Sequence, residues 1–361
     1  MKEIKSCDIV LPSPSLYIPN GSSSLIIKGE INLVLSAPLK VTQVVLKLHG
    51  FSQFNNSQKS TTRNLTTKDL IKQKLTVVNV TKTYNAGETV LPFSITLKAP
   101  QNLLESVEGK HAAVRYVLTA ELTKANPHAI YKTSKNVILR KNVLTNGVDI
   151  NDKVVYEGER EGLLKYKVEV SKYVVIEDDG YVGEEGDDDD DAPCEDPRGK
   201  VKVEATFESL DKAGVKEVKV DAFEYEMYNL AKFNSTTGVS SSGGSASAKS
   251  STSAPKPKTP TTRAAPKIPA FSNVSIPNPH HTRPLLTPSL IIPVSSNASD
   301  PVSFEIPINK RMKPDSNINF LEIKHEIIMT IRFDKFMLTP LKLEVPVSVI
   351  TKIKKNYGLK K

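Results

Sequence analysis

The sequence predicts an all-β protein made of two immunoglobulin-like antiparallel β-sandwiches in tandem. Three observations predict it. Apolar residues recur at every second position along most of the 361-residue chain, the spacing of strands with one buried and one wet face. Turn signals at Asn20-Gly21, Ala86-Gly87-Glu88 and Asn146-Gly147 separate the alternating runs. The length suits two domains, because roughly 100–200 residues already bury a full core.

In chain order, alternation runs through Ile31-Leu33-Leu35, Val44-Leu46-Leu48, Phe93-Ile95-Leu97 and Val114-Tyr116-Leu118-Ala120-Leu122. It returns in Tyr166-Val168-Val170, Val201-Val203-Ala205-Phe207 and Leu341-Leu343-Val345-Val347-Val349. The clearest run is Leu321 to Asp334, with Ile323, His325, Ile327, Met329, Ile331 and Phe333 on one face and mostly polar residues on the other. Between Ala222 and Phe223 the apolar phase slips by one residue, which predicts a bulge. One short helix-like piece falls around Gln101 to Val107. A boundary near residues 146–162 gives a first sandwich over 1–150 and a second over 160–353.

Two segments break the pattern. Residues 177–196 carry twelve acidic groups and no Lys or Arg; a run of this kind is expected to be a solvated, mobile loop. Residues 234–299 hold fifteen Ser, ten Pro, six Lys or Arg and no acid. The stretch 234–300 therefore reads as a disordered Ser/Pro-rich insert.

These segments reshape the meaning of the net charge. The formal +9 invites a nucleic-acid reading, but without the twelve acids of 177–196 the rest carries 49 basic and 28 acidic residues, a net +21. Single-strand binders interleave cations with stacking aromatics. Here aromatics are 6% of the chain and fall mostly at inward positions, with lysines dispersed along outward faces. That arrangement points to a broad basic surface for acidic or phosphorylated partners, and not to nucleic acid. The aspartates Asp187, Asp188, Asp189, Asp190 and Asp191 lack the spacing of a calcium loop and read either as charge that only solvates the protein or as a regulatory acidic loop, an internal competitor for that surface.

Catalytic signatures do not occur. There is no G-x-S-x-G, P-loop, G-x-G-x-x-G or H-E-x-x-H, and no cofactor or metal site is expected. Cys7 and Cys194 are too few for a disulfide framework or a multi-cysteine zinc site. His325 lies on the apolar face of its run, the position of a satisfied core histidine. No run approaches the 18 apolar residues of a membrane span, and the charged N-terminus does not read as a signal peptide. The Asn-x-Ser/Thr sequons therefore read as by-products of composition. Thr259-Pro260 and Thr287-Pro288 make Thr259 and Thr287 candidate phosphosites, while Thr339-Pro340, between strands, reads as a less favoured one. The lysine-rich C-terminus offers peripheral contact with anionic lipid.

Several segments resemble the arrestin N-domain. They are Pro92-Phe93-Ser94-Ile95-Thr96-Leu97, then Ser106-Val107-Glu108-Gly109-Lys110-His111, then Val114-Arg115-Tyr116-Val117-Leu118-Thr119-Ala120-Glu121-Leu122. Gly162 to Val170 is similar to the opening of the arrestin C-domain, and Ile323 to Phe333 with Leu343-Glu344-Val345-Pro346-Val347 to its closing strands. Within the superfamily the chain is most similar to α-arrestins, the arrestin-related trafficking adaptors. The resemblance implies the arrestin fold and a non-catalytic cytosolic adaptor, peripheral at the plasma membrane or endosomes. Its implied cargo is the cytosolic tail of a membrane transporter or receptor, met by a basic surface to which Lys47, Lys110 and Arg115 are the expected contributors. It also implies recruitment of a HECT-class ubiquitin ligase through PPxY motifs, yet no Pro-Pro pair occurs anywhere in the sequence. That departure favours, as an alternative, an arrestin-like endosomal sorting subunit of the retromer kind. A carbohydrate-active β-sandwich enzyme is the remote third reading, and it requires two carboxylates converging in one cleft.

Overall fold

The computed structural model describes residues 3–13, 15–19, 21–55, 65–125, 129–141, 144, 149–178, 199–210, 214–235, 280–294, 301–308, 312–335 and 337–353. The first half supplies β1 (Ile4–Val10), β2 (Ser15–Tyr17), β3 (Ser24–Leu35), β4 (Leu39–Asn55), β5 (Leu65–Val78), β6 (Lys82–Tyr84), β7 (Gly87–Lys98), β8 (Val107–Glu108), β9 (Ala112–Lys124) and β10 (Ala129–Arg140). The second supplies β11 (Lys153–Arg160), β12 (Leu164–Ser171), β13 (Tyr173–Asp178), β14 (Gly199–Ser209) and β15 (Val215–Tyr228). After the short helix α1 (Leu230–Ser235) come β16 (His280–Pro284), β17 (Leu290–Pro293), β18 (Val302–Ile308), β19 (Ser316–Ile318), β20 (Leu321–Phe333) and β21 (Leu341–Ile353).

Each half builds two facing sheets, so the all-β expectation holds. In the first, β1-β3-β7 faces a larger sheet ordered β2-β10-β9-β4-β5, with β6 on β4 and β8 on β9. In the second, β11-β12-β14-β18 faces β13-β21-β20-β15-β16, with β17 on β15 and β19 on β20. The same device recurs in both large sheets: a short strand adds parallel at one edge, β2 on β10 and β13 on β21, to otherwise antiparallel partners. Alternation supplies the two faces of each strand. Along β9 the even positions from Ala112 to Leu122 are buried while Arg115, Val117, Thr119 and Glu121 are not. On β4 three consecutive residues, Val44, Val45 and Leu46, are buried, and the register against β5 shifts between Val44 and Val45, as a bulge requires.

Three sequence expectations need correction. The helix-like piece narrows to one 3-10 turn at Pro100–Asn102, while α1 was not anticipated. Six residues are too few to hold a helix by propensity; tertiary contacts hold this one. The end of the expected disordered insert is ordered: β16 and β17 lie within 234–300 and pair with β15. The bulge between Ala222 and Phe223 does not occur. The β15–β20 register is continuous there and shifts only between Val215 and Glu217. Inward alternation simply continues through Ala222, Glu224, Glu226 and Tyr228, and two carboxylates take core positions.

Burial divides into two apolar clusters. One fills the second sandwich, with Phe207, Val220, Ala222, Ile327 and Met329 among its members. The other fills the first sandwich and also takes Tyr228, Phe233, Ile318, Phe320, Leu321 and Ile323 from the second half. The strands β15 and β20 thus run through both cores.

Candidate functional site

Two features carry chemistry: the outward face of the first large sheet, and the seam where β15 and β20 pass from one core to the other.

On the outward face, Lys47 of β4 stands directly opposite Lys74 of β5, and His49 opposite Lys72. Like charges at directly opposed positions are destabilising. On the other side Lys132 of β10 pairs in register with Glu121 of β9. That carboxylate accepts Lys47 at 2.7 Å and Lys132 at 3.2 Å, and these ammonium groups hold it below the usual carboxylate range. Asp69 is likewise lowered, first by Lys72 and then by His49, each at 2.6 Å. Exposed Lys74 makes no ion pair among the described residues. Arg115 of β9 is forked onto Glu108 and also reaches Gln53. Five cations with three carboxylates leave the face positive.

The expected partner-binding residues separate accordingly. Lys47 and Arg115 share this face, four positions apart along the sheet because Phe51 pairs with Arg115. Arg115 is committed to Glu108. Lys110 lies in the β8–β9 turn at the seam, with its backbone N–H donating to Glu226 Oε2 at 2.9 Å. Lys72, Lys74 and Lys132 were missed. Alternation marks them as outward, but only the cross-strand register brings them beside Lys47. Thr287 is exposed in the β16–β17 loop and makes no side-chain hydrogen bond among the described residues. Asp187, Asp188, Asp189, Asp190, Asp191 and Thr259 lie outside the described residues.

At the seam, Glu224 and Glu226 are fully buried. Glu224 accepts Arg283 of β16 at 2.9 Å, the Lys313 backbone N–H at 3.0 Å and His325 Nε2 at 3.2 Å. His325 Nδ1 is 2.7 Å from Asp315. Burial alone pushes the Glu224 carboxyl up, but the His325 hydrogen bond and the charges of Arg283 and Lys313 overcome it and hold the group at about 2. Burial pushes His325 down, yet Asp315 and Glu224 more than offset this, so its net shift is upward. His325 is thus the satisfied core histidine that the sequence suggested. Glu226 takes the Lys313 ammonium and the Tyr228 hydroxyl. A buried carboxylate persists only when so partnered.

The first sandwich closes the seam. The His111 backbone N–H donates to the Tyr228 hydroxyl at 3.1 Å, and Ser316 donates to buried Glu105 at 2.8 Å. Gly109 makes this approach possible, since a Cβ there would stand 2.6 Å from the Tyr228 hydroxyl. Phe233 of α1 inserts beside Phe54 and Phe320, with ring centroids at 5.3 and 5.0 Å. Asn229 caps the helix start by accepting the Lys232 N–H at 2.9 Å. Lys68 of β5 donates to the carbonyls of Phe233 and Asn234 at its end, at 2.7 and 2.5 Å.

Glu224 and Glu226 are a pair of acids that converges, but both are enclosed and matched to cations. A glycosidase pair flanks an open site, so they give the enzyme reading no support. Among the described residues no group of three or more His, Cys, Asp or Glu is placed to hold a metal ion. No helix among the described residues is long and apolar enough to cross a membrane.

Two tandem sandwiches, each with one large sheet extended by a parallel edge strand and joined across a shared seam, define an all-β protein of the arrestin fold. Residues 17–146 match the family model described as Arrestin (or S-antigen), N-terminal domain. The match covers most of the first sandwich and supports the arrestin superfamily for this chain. No curated protein matches the chain. Members of the superfamily are generally non-catalytic adaptors that bind membrane cargo.

Proposed function

We propose that this chain is a cytosolic, non-catalytic adaptor of the α-arrestin type that receives acidic or phosphorylated tails of membrane transporters or receptors. The receiving surface is the outward face formed by Lys47, Lys72, Lys74 and Lys132, and bound cargo is handed to endocytic, sorting or ubiquitylation machinery. The observation that carries the reading is the direct opposition of Lys47 and Lys74. An arrangement that costs the sheet stability is expected where function needs the charge. No Pro-Pro pair occurs in the sequence, so these residues offer a HECT-class ligase no PPxY. The acidic run Asp187–Asp191 is proposed as a competitor for the same face.

The test is fluorescence anisotropy with a peptide bearing three phosphoserines among acidic residues. The Lys47→Gln/Lys72→Gln/Lys74→Gln variant should bind at least tenfold more weakly at low salt, with a shallower salt dependence. Neutralising residues 184–191 should strengthen binding. Unchanged affinity in the lysine variant, with its fold intact by circular dichroism, would remove this face from the proposal.

A further inference from the structure

We propose that Thr339 is a phosphorylation site for a proline-directed kinase and that Arg160 is the built-in receptor of its phosphate.

The chain contains four Ser/Thr-Pro dipeptides, at Ser13, Thr259, Thr287 and Thr339. Proline-directed kinases read this dipeptide, and the following proline keeps the acceptor residue extended. Thr339 and Pro340 are both exposed, in the connection between β20 and β21. What sets Thr339 apart is its neighbour. Arg160, the last residue of β11, directs its fork at this one residue: Nη2 donates to Thr339 Oγ1 at 2.6 Å, and Nη1 donates to the Thr339 carbonyl. The guanidinium also lies 5.2 Å from the centroid of the Phe333 ring, which fixes its plane. Exposed Thr287 has no comparable partner among the described residues.

The charge balance of the arginines makes the same point independently. Arg115 holds Glu108, Arg283 holds Glu224 and Arg332 holds Glu217. Arg160 makes no ion pair among the described residues, although Glu161 follows it in sequence and Asp334 begins the same β20–β21 connection that holds Thr339. A fixed planar cation without an anion, already bonded to an exposed Thr-Pro hydroxyl, is a phosphate receptor before any phosphate arrives.

The chemistry balances with ATP as donor. The Thr339 hydroxyl oxygen forms a bond to the γ-phosphorus, the bond from that phosphorus to the ADP oxygen breaks, and the hydroxyl proton passes to the kinase base. The product carries about −1.5 to −2 charge at neutral pH. Facing Arg160, it replaces the neutral hydroxyl acceptor with a charged one, a charge-assisted pair. Because Arg160 ends β11 of the smaller sheet and Thr339 precedes β21 of the larger one, the modification ties together the two sheets of the second sandwich at one end. It also adds negative charge to that edge.

The test uses the full chain with Ser13, Thr259 and Thr287 changed to Ala, incubated with ATP and a proline-directed kinase. A peptide of residues 333–344 shows that the kinase accepts the local sequence. The expected results are phosphate mapped to Thr339 by mass spectrometry, its loss in Thr339→Val, and a phosphorus resonance titrating at lower pH than in Arg160→Gln. Modification of the peptide with none in the folded chain would overturn the site. Identical phosphate titrations with and without Arg160 would overturn the receptor.

Discussion

Replacing Phe233 with Ala removes a ring contributed by one half of the chain to the core of the other. The side chain is fully buried, between Phe54 of β4 and Phe320 in the turn before β20. Truncation of a buried Phe costs about 3–5 kcal/mol, combining lost transfer free energy with the cavity left behind. The upper part of that range applies, because two aromatic contacts vanish together and the Lys68 ammonium, 5.1 Å from the ring centroid, loses its face. Against the 5–15 kcal/mol that stabilises an ordinary domain, a loss of about 4 kcal/mol is large.

Urea denaturation followed by far-ultraviolet circular dichroism and by tyrosine fluorescence measures it, with hydrogen exchange locating the loss. If the first core is shared, the variant should lose protection in β4, β19 and the start of β20 together, while β12 and β14 keep theirs. Phe233→Leu should recover most of the stability. A cost below 1 kcal/mol, or faster exchange confined to α1, would refute the idea that α1 fastens the two sandwiches.

Other expectations follow from the seam and the cores. His325 is raised above its ordinary 6.5, so its contribution is full below about pH 6.5 and is lost as pH climbs through the higher folded value. Glu224 is lowered to about 2 from 4.5, so its contribution is present above pH 4.5 and is lost as pH falls towards 2. Wild-type urea midpoints should drop from pH 6 to pH 9 by more than those of His325→Gln, and equal drops would contradict the assignment. Gly109→Ala places a methyl against the Tyr228 hydroxyl and should cost about 1–3 kcal/mol in thermal or chemical melts; a neutral effect would mean that the seam yields freely. Burial pushes the Cys7 thiol up to about 11. In a Cys194→Ser background it should react with a disulfide reagent only as fast as the chain unfolds, and labelling within seconds under native conditions would contradict its burial.

Alternation made the fold legible because a half-buried strand leaves its mark at every residue: β9 and β20 are buried at alternate positions as the sequence reads. What alternation cannot carry is register. Lys47, Lys72, Lys74 and Lys132 are each visibly outward, but sequence distance hides that Lys47 faces Lys74 across β4 and β5. The helix α1 was hidden for another reason. It rests on Phe233 inserted into a distant core and on Lys68 at its carbonyl end, and such contacts leave no local pattern. The ordered end of the Ser/Pro-rich stretch was missed because β16 has almost no apolar residues and is held largely by its pairing with β15.

The misplaced bulge on β15 shows how polar cores mislead a hydrophobic reading. Phe223, Tyr225 and Met227 look like the inward set, and moving the phase by one residue keeps them in. The register keeps Glu224 and Glu226 in instead, and the reason lies in what flanks them. Ala222 belongs to the second core and Tyr228 to the first; on the paired strand Ile327 belongs to the second and Ile323 to the first. Glu224, Glu226 and His325 therefore form a polar belt across two strands, separating two apolar cores that share the same backbone. Apolar residues of similar volume often stabilise a fold as well as a buried ion pair does. What they lack is direction: an apolar belt would accept any sliding of one core against the other. The carboxylates accept only the arrangement in which Arg283, Lys313, His325, Tyr228 and the Lys110 N–H all arrive. Of these partners only the Lys110 N–H comes from the first sandwich, so what the belt fixes between the two is the meeting of the β8–β9 turn with β15.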